Sequence, residues 1–286
     1  MKNKKILITG GAGFIGSNLC KKLVSENEIF SLDNYSTGTV KNHHEGVKYI
    51  EADTKEISNI FSVRFDYVFH LGEYSRVEKS IDEYYKVWEY NVHGTNEVIK
   101  YCKKYDCKLI YAGSSTKYYN NNNGSKLTPY TFFKAQNTEL IINYSKWYKL
   151  NYAIAYFYNV YGDNEIDQGE YSTVVGKFIN LFNKKEPLTI VKPGSQTRHF
   201  TNVNDIVEAL ILIAKKGKGD GYGIGSEEKM SIIELAKLFK CEYKFIDERV
   251  GNRKNSILNN EKLYKLGWKA KTSIEDYIDK KINSID

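Results

Sequence analysis

Ile6-Leu7-Ile8-Thr9-Gly10-Gly11-Ala12-Gly13-Phe14-Ile15-Gly16 decides the fold: a short apolar run, a cluster of glycines, then the start of a longer periodic stretch. Residues 6–9 read as a strand and 14–25 as a helix. Between them Gly10 permits a tight turn, Gly13 lets backbone approach a pyrophosphate at the positive helix end, and Gly16 lets helix and strand pack closely. Such a turn alone is common. Here a second strand follows at 28–33 and ends on Asp33, 17 residues beyond Gly16, where an acid is placed to hydrogen-bond a ribose diol. That carboxylate suits the two ribose hydroxyls of NAD and would repel the 2′-phosphate of NADP; no arginine stands beside it.

Outward from this unit the alternation continues. Residues 47–51 and 67–70 read as strands and 82–105 as a helix; strands at 108–112 and 153–157 flank a helical region at 130–149. Strands and helices at this spacing predict parallel βαβ units in an α/β, doubly wound parallel sheet. The second half is less regular, with helices expected at 173–183, 204–216 and 231–239 and a polar loop at 120–125. No internal repeat is evident. A boundary near residue 165 divides a nucleotide-binding part, 1–165, from a smaller part, 166–286, with about 197–222 returning to the first. Asn204 and Asp205, at the start of one expected helix, read as capping residues.

Composition narrows the classes. The chain has 286 residues, 41% hydrophobic and 27% charged, which excludes a disordered or fibrous protein. No apolar run approaches the roughly 18–20 residues of a bilayer span. Basic residues followed by an apolar stretch at the start mimic a signal peptide, but glycines interrupt it and no small-residue cleavage site follows. Four cysteines without a CxxC pair point to reduced thiols and a cytoplasmic location, with neither disulfides nor zinc. The five histidines show no metal-ligand spacing, so no metal is expected. The net charge of +7 comes from scattered lysines; only Arg64, Arg76, Arg198, Arg249 and Arg253 are arginine, unlike the clustered patch of a nucleic-acid surface.

Three further positions suggest chemistry. Tyr130 and Lys134 are four apart at the start of a helix, hence on one face, and an ammonium beside a phenol favours the phenolate, a proton acceptor. Ser114, after the strand ending at Ala112, offers a hydroxyl to a reacting oxygen. Taken singly, the first is also an ordinary helix-surface pair and the second a plain Ser/Thr loop.

Taken in order, Gly10–Gly16, Leu32-Asp33-Asn34, His70-Leu71-Gly72, Asn91-Val92-His93-Gly94-Thr95, the serines after 113, Pro129-Tyr130 with Lys134, Phe157–Gly162 and Gln196–Phe200 resemble the extended short-chain dehydrogenases. Within them the resemblance is to the nucleotide-sugar epimerase/dehydratase family, nearest the UDP-hexose and UDP-N-acetylhexosamine 4-epimerases, and covers residues 6 to about 277. It implies a Rossmann-type sheet with a smaller C-terminal substrate-binding part. Gly10, Gly13, Phe14, Ile15, Gly16, Asp33, Asn34, Asp53 and Asn91 would serve NAD, with Asp53 near the adenine and Asn91 supporting the site. Ser114, Tyr130 and Lys134 would be catalytic, Lys134 also bonding the nicotinamide ribose; Asn159, Arg198, Arg249, Asn252 and Ser256 would face a nucleotide-diphosphate sugar, UDP-linked by expectation. A homodimer through the helices at 82–105 and 130–149 is implied too.

Departures select among reactions. The family's 4,6-dehydratases carry Asp-Glu directly after the catalytic hydroxyl residue, where this chain has Ser115 and Thr116, neither a general acid near neutral pH. That favours 4-epimerisation: Tyr130 takes the C4 hydroxyl proton, NAD takes the C4 hydride, and the hydride returns to the other face of the 4-keto sugar. A 4-ketoreductase or dehydratase is the alternative reading, and a non-catalytic NAD-binding protein a further one. Asn252 replaces an aspartate common in relatives, and small Ser256 leaves room for an N-acetyl group at C2. Glu73 and Arg76 stand where relatives often have small residues; they belong either to the site or to a solvated loop.

Overall fold

Alternate side chains of strand β1 (Lys5–Thr9) enter two different cores. Ile6 and Ile8 pack with Leu19 of helix α1 (Phe14–Leu23), whereas Leu7 packs toward Val68, Leu109 and Tyr101, as the two-residue period of a strand requires. The structure is a computed structural model that describes residues 1–115, 128–169, 171–247 and 257–284.

Strands β2 (Glu28–Asp33) and β3 (Val47–Glu51) add in parallel on one side of β1. After the short α2 (Ile57–Ile60), β4 (Tyr67–His70) adds in parallel on the other. The crossover to β5 (Lys108–Ser114) is α3 (Tyr84–Val87), a π-helical stretch Trp88–Gly94 and α4 (Thr95–Lys104). Residues 82–105 therefore form no single regular helix. The wider turn sits at Asn91, whose side chain binds both backbone groups of Tyr74; such bulges recur at functional sites. Helix α5 (Pro129–Tyr148) then leads to β6 (Tyr152–Phe157).

The chain leaves this layer through β7 (Val160–Tyr161), α6 (Val174–Asn183), β8 (Leu188–Val191), β9 (Thr197–His199) and β10 (Thr201–Asn202). It returns with α7 (Val203–Lys216), which packs on the first core, and β11 (Gly219–Ile224), parallel to β6. The seven-stranded order is β11-β6-β5-β4-β1-β2-β3, all parallel: the predicted doubly wound sheet, reversing direction between β1 and β4. The remainder is β12 (Lys229–Ser231), α8 (Ile232–Leu238), β13 (Tyr243–Ile246), α9 (Glu261–Tyr264) and α10 (Ile274–Asn283). β12 pairs with β9, β13 with β8 and β10 with β7, around a third core of Phe178, Phe200, Leu235, Phe239 and Ile278.

The capping residue of α7 is Asn202, whose side chain accepts from the Asn204 N–H at 2.9 Å; Asn204 and Asp205 lie inside the helix. Asp205 is buried and accepts from the N–H groups of Lys271 and Thr272, fastening the C-terminal segment to α7. The four cysteines are free thiols. Among the described residues no helix is long and apolar enough to cross a membrane, and no cluster of three or more His, Cys, Asp or Glu is arranged to hold a metal ion.

Candidate active site

A cavity of about 1080 Å³ opens at the carboxyl ends of the strands, where the sheet order reverses. The β1–α1 turn forms one wall. Gly10 has φ +71°, and a Cβ there would lie 2.8 Å from the Gly72 Cα, so only glycine lets the turn meet the loop after β4. A Cβ on Gly16 would overlap the Gly10 carbonyl and come within 2.9 Å of the Gly11 Cα. Helix α1 starts without a side-chain cap and without an acid in its first turn. Its N–H groups and positive dipole end therefore remain available to an anion beside Gly13, Phe14, Ile15 and Gly16, all of which line the cavity.

Asp33, buried at the end of β2, lines the same space. Its carboxylate accepts the Ala12 and Tyr35 N–H groups at 2.9 Å each; burial raises its pKa above the usual value, against the pull of those donors. Asn34 also lines the cavity and donates to Asp53 at 2.6 Å. Asp53 is not part of the wall: it stands at the start of the turn Thr54–Glu56 and reaches the cavity through Asn34. An uncapped helix terminus and a buried carboxylate at this spacing fit the pyrophosphate and adenosine ribose of NAD.

The second wall brings Ser114, Tyr130 and Lys134 together. Ser114 closes β5; Thr128 caps α5 with Pro129 in the first turn, which sets Tyr130 at the mouth and Lys134 one turn deeper. The Lys134 side chain is buried, donating to the Ala112 carbonyl at 2.6 Å and to the carboxylate of Glu73. Glu73 is thus no solvated loop residue: its side chain is 2% exposed. Besides Lys134 it accepts from Thr95 at 2.8 Å, Tyr111 at 3.1 Å and Asn137 at 3.1 Å. The ammonium expected beside Tyr130 is hydrogen-bonded to the Ala112 carbonyl and the Glu73 carboxylate.

Behind Glu73 the hydrogen bonds run in one direction. The Thr9 hydroxyl accepts the Leu71 and Gly72 N–H groups, so its own proton points to His70 Nδ1 at 2.7 Å. His70 Nε2–H then donates to Thr95 at 2.9 Å, and Thr95 donates to Glu73. Burial holds the His70 pKa down at about 4, which keeps the imidazole neutral in this chain of bonds. Asn91, fully buried, does not line the cavity; it fixes the same loop by bonding Tyr74 N–H at 2.7 Å and Tyr74 C=O at 3.0 Å.

At the sugar-facing end expected from the resemblance, Asn159 and Arg198 line the cavity, and Arg198 Nη1 donates to the Thr197 carbonyl at 2.9 Å. Arg249, Asn252, Ser256 and Thr116 lie outside the described residues. Two further residues line the cavity. Glu165 accepts from Thr173 and from the Gly162 N–H, and burial raises its pKa to about 7. Arg76 points its guanidinium at the Tyr171 ring, 5.9 Å from the centroid. Sequence reasoning left Arg76 open and missed Glu165, Thr95 and Asn137; the only hint was the departure at Gly72–Arg76.

A model of the NAD-dependent epimerase/dehydratase family matches residues 6–225. A Methanocaldococcus jannaschii protein assigned as a UDP-glucose 4-epimerase is 30% identical over 97% of each chain. A dTDP-D-glucose 4,6-dehydratase of Dictyostelium discoideum is 28% identical, over 97% of this chain and 80% of its own. The crystal structure of UDP-glucose 4-epimerase from Thermotoga maritima with UDP-glucose superposes with a TM-score of 0.91 at 28% identity, covering 97% of both chains.

Proposed function

The chain belongs to the NAD-dependent epimerase/dehydratase family, and from that premise we propose that it is a nucleotide-sugar 4-epimerase acting on UDP-glucose and UDP-galactose or their N-acetyl forms. One observation carries the reading: Ser114, Tyr130 and Lys134 share one cavity wall, and Ser115, not a carboxylic acid, follows Ser114. Tyr130 takes the C4 hydroxyl proton and later returns it, while the Ser114 hydroxyl holds the oxygen in place. Bound NAD supplies the acceptance and return of the C4 hydride. Lys134, fixed by Ala112 and Glu73, orients the nicotinamide ribose against Tyr130. Arg198 and Asn159, on the cavity wall, take the diphosphate side; Arg249, Asn252 and Ser256, outside the described residues, are assigned to the same sugar nucleotide by their sequence positions.

A second reading, 4,6-dehydration, has one observation in its favour. Glu165 is a carboxyl group on the cavity wall whose pKa of about 7 suits a general acid. Incubating the purified protein with UDP-glucose, UDP-galactose and their N-acetyl forms, and following anomeric protons by NMR, separates the two. Interconversion without added cofactor is expected. A 4-keto-6-deoxy product would establish dehydration instead, and an unchanged rate in Tyr130→Phe would remove Tyr130 as the base.

The exposed rings of Tyr84, Tyr85, Trp88, Trp147 and Tyr148, on two adjacent helical segments, support a homodimer. The free cysteines fit a cytoplasmic setting.

A further inference from the structure

Among the described residues Arg76 has no ion-pair partner. Its Nε is buried with no hydrogen-bond partner, and among the described residues the guanidinium makes no hydrogen bond or ion pair. Its aromatic neighbour is Tyr171, a face contact that leaves the donor edge unanswered. A buried N–H without an acceptor is costly unless something supplies one.

The nearby carboxylates are already committed. Glu73 takes Lys134, Thr95, Tyr111 and Asn137. Glu83 takes Lys86, Tyr74 and Tyr171, which hold its pKa down near 2. Glu165 takes Thr173 and Gly162 and stands beyond ion-pair distance of Arg76. Yet Arg76 lines the same cavity as Ser114 and Tyr130.

We propose that Arg76 receives a carboxylate on the sugar itself, so that the substrate is a nucleotide-linked hexuronic acid. The inference rests on the 4-epimerase reading, because that reading places C4 of the sugar at Tyr130. C6 is attached to C5, the neighbour of C4, so a C6 carboxylate lies at the reacting end of the ring. The diphosphate is attached at C1, across the ring. A planar guanidinium fork matches a carboxylate with two parallel hydrogen bonds. The expectation at Ser256 concerns the C2 substituent and is independent of this one.

Titration calorimetry of the NAD-loaded protein with UDP, UDP-glucose and UDP-glucuronic acid tests the assignment. The wild type is expected to bind the acid at least about tenfold more tightly than UDP-glucose, the range of a charge-assisted contact. In R76Q that ratio falls toward one, and R76K, which keeps the charge but loses the fork, retains part of it. Equal or tighter binding of UDP-glucose by the wild type overturns the proposal without needing a variant. Weakening of UDP alone as large as that of the acid in R76Q also overturns it, because Arg76 then serves the diphosphate. Failure of all three ligands to bind removes the nucleotide-sugar reading as well, whereas tight UDP-glucose binding with no preference for the acid sinks only the assignment of Arg76.

Discussion

Glu73 and Lys134, sixty-one residues apart in the chain, form one buried ion pair, and three further donors close around the same carboxylate. Removing one member of such a pair leaves the other charged in a dry site, a loss of about 3–5 kcal/mol. Glu73→Gln and Lys134→Met should each be strongly destabilising, and the double variant should lose clearly less than the sum. Denaturant unfolding of the four proteins measures this. Additive losses would mean that the two side chains act independently.

Two glycines of the same turn should behave differently. Gly16→Ala places a methyl against the Gly10 carbonyl and 2.9 Å from the Gly11 Cα, all backbone that cannot yield, and should cost about 2 kcal/mol or more and abolish NAD binding. Gly13→Ala meets only the Gly10 carbonyl oxygen at 3.3 Å and should fold nearly normally. Thermal melting with and without NAD distinguishes them.

Asp33 should set cofactor choice. Its carboxylate is expected to favour NAD over NADP by about a hundredfold or more, and Asp33→Asn, which removes the charge at constant size, should narrow that preference at least about tenfold. Fluorescence titration with the two reduced cofactors reads the ratio. An unchanged ratio would assign the discrimination elsewhere.

His70 predicts a pH dependence with a definite sign. Its pKa falls from about 6.5 in the unfolded chain to about 4 in the fold, so its contribution to stability is complete above about pH 6.5 and is lost as pH falls toward 4. Between pH 7.5 and 5 the wild type should lose about 2 kcal/mol more than His70→Gln. Nitrogen NMR at pH 6 should show the neutral ring protonated on Nε2. A charged ring at that pH would contradict the hydrogen-bond directions between Thr9 and Glu73.

The parts of the site that were legible in the sequence are local ones. Gly10, Gly13, Gly16 and Asp33 belong to a single βαβ unit, so their spacing carries their geometry, and the alternation of apolar runs carries the parallel sheet. Tyr130 and Lys134 were readable as one helix face for the same reason. What surrounds Lys134 was not readable, because Glu73, Thr95, Tyr111 and Asn137 come from four separate segments and meet only when β4, β5 and two helices pack. Asp53 and Asn91 show the converse: the resemblance puts both at the cofactor, but neither lines the cavity wall; Asp53 bonds the wall residue Asn34, and Asn91 holds the loop after β4 through Tyr74. The cap of α7 was misplaced by two residues, since Asn202, Asn204 and Asp205 are all residue types that favour helix starts.

The Thr9 hydroxyl joins β1 to the loop after β4, the two edges between which the sheet reverses, and His70, Thr95 and Glu73 extend that join to α4 and α5. The mouth of the crevice is thereby stitched from one lip to the other by bonds internal to the protein. Its ordering entropy is met when the chain folds, leaving little to be met on ligand arrival. For the dinucleotide the expectation is an association set by encounter and ionic strength rather than by a slow opening of the sheet.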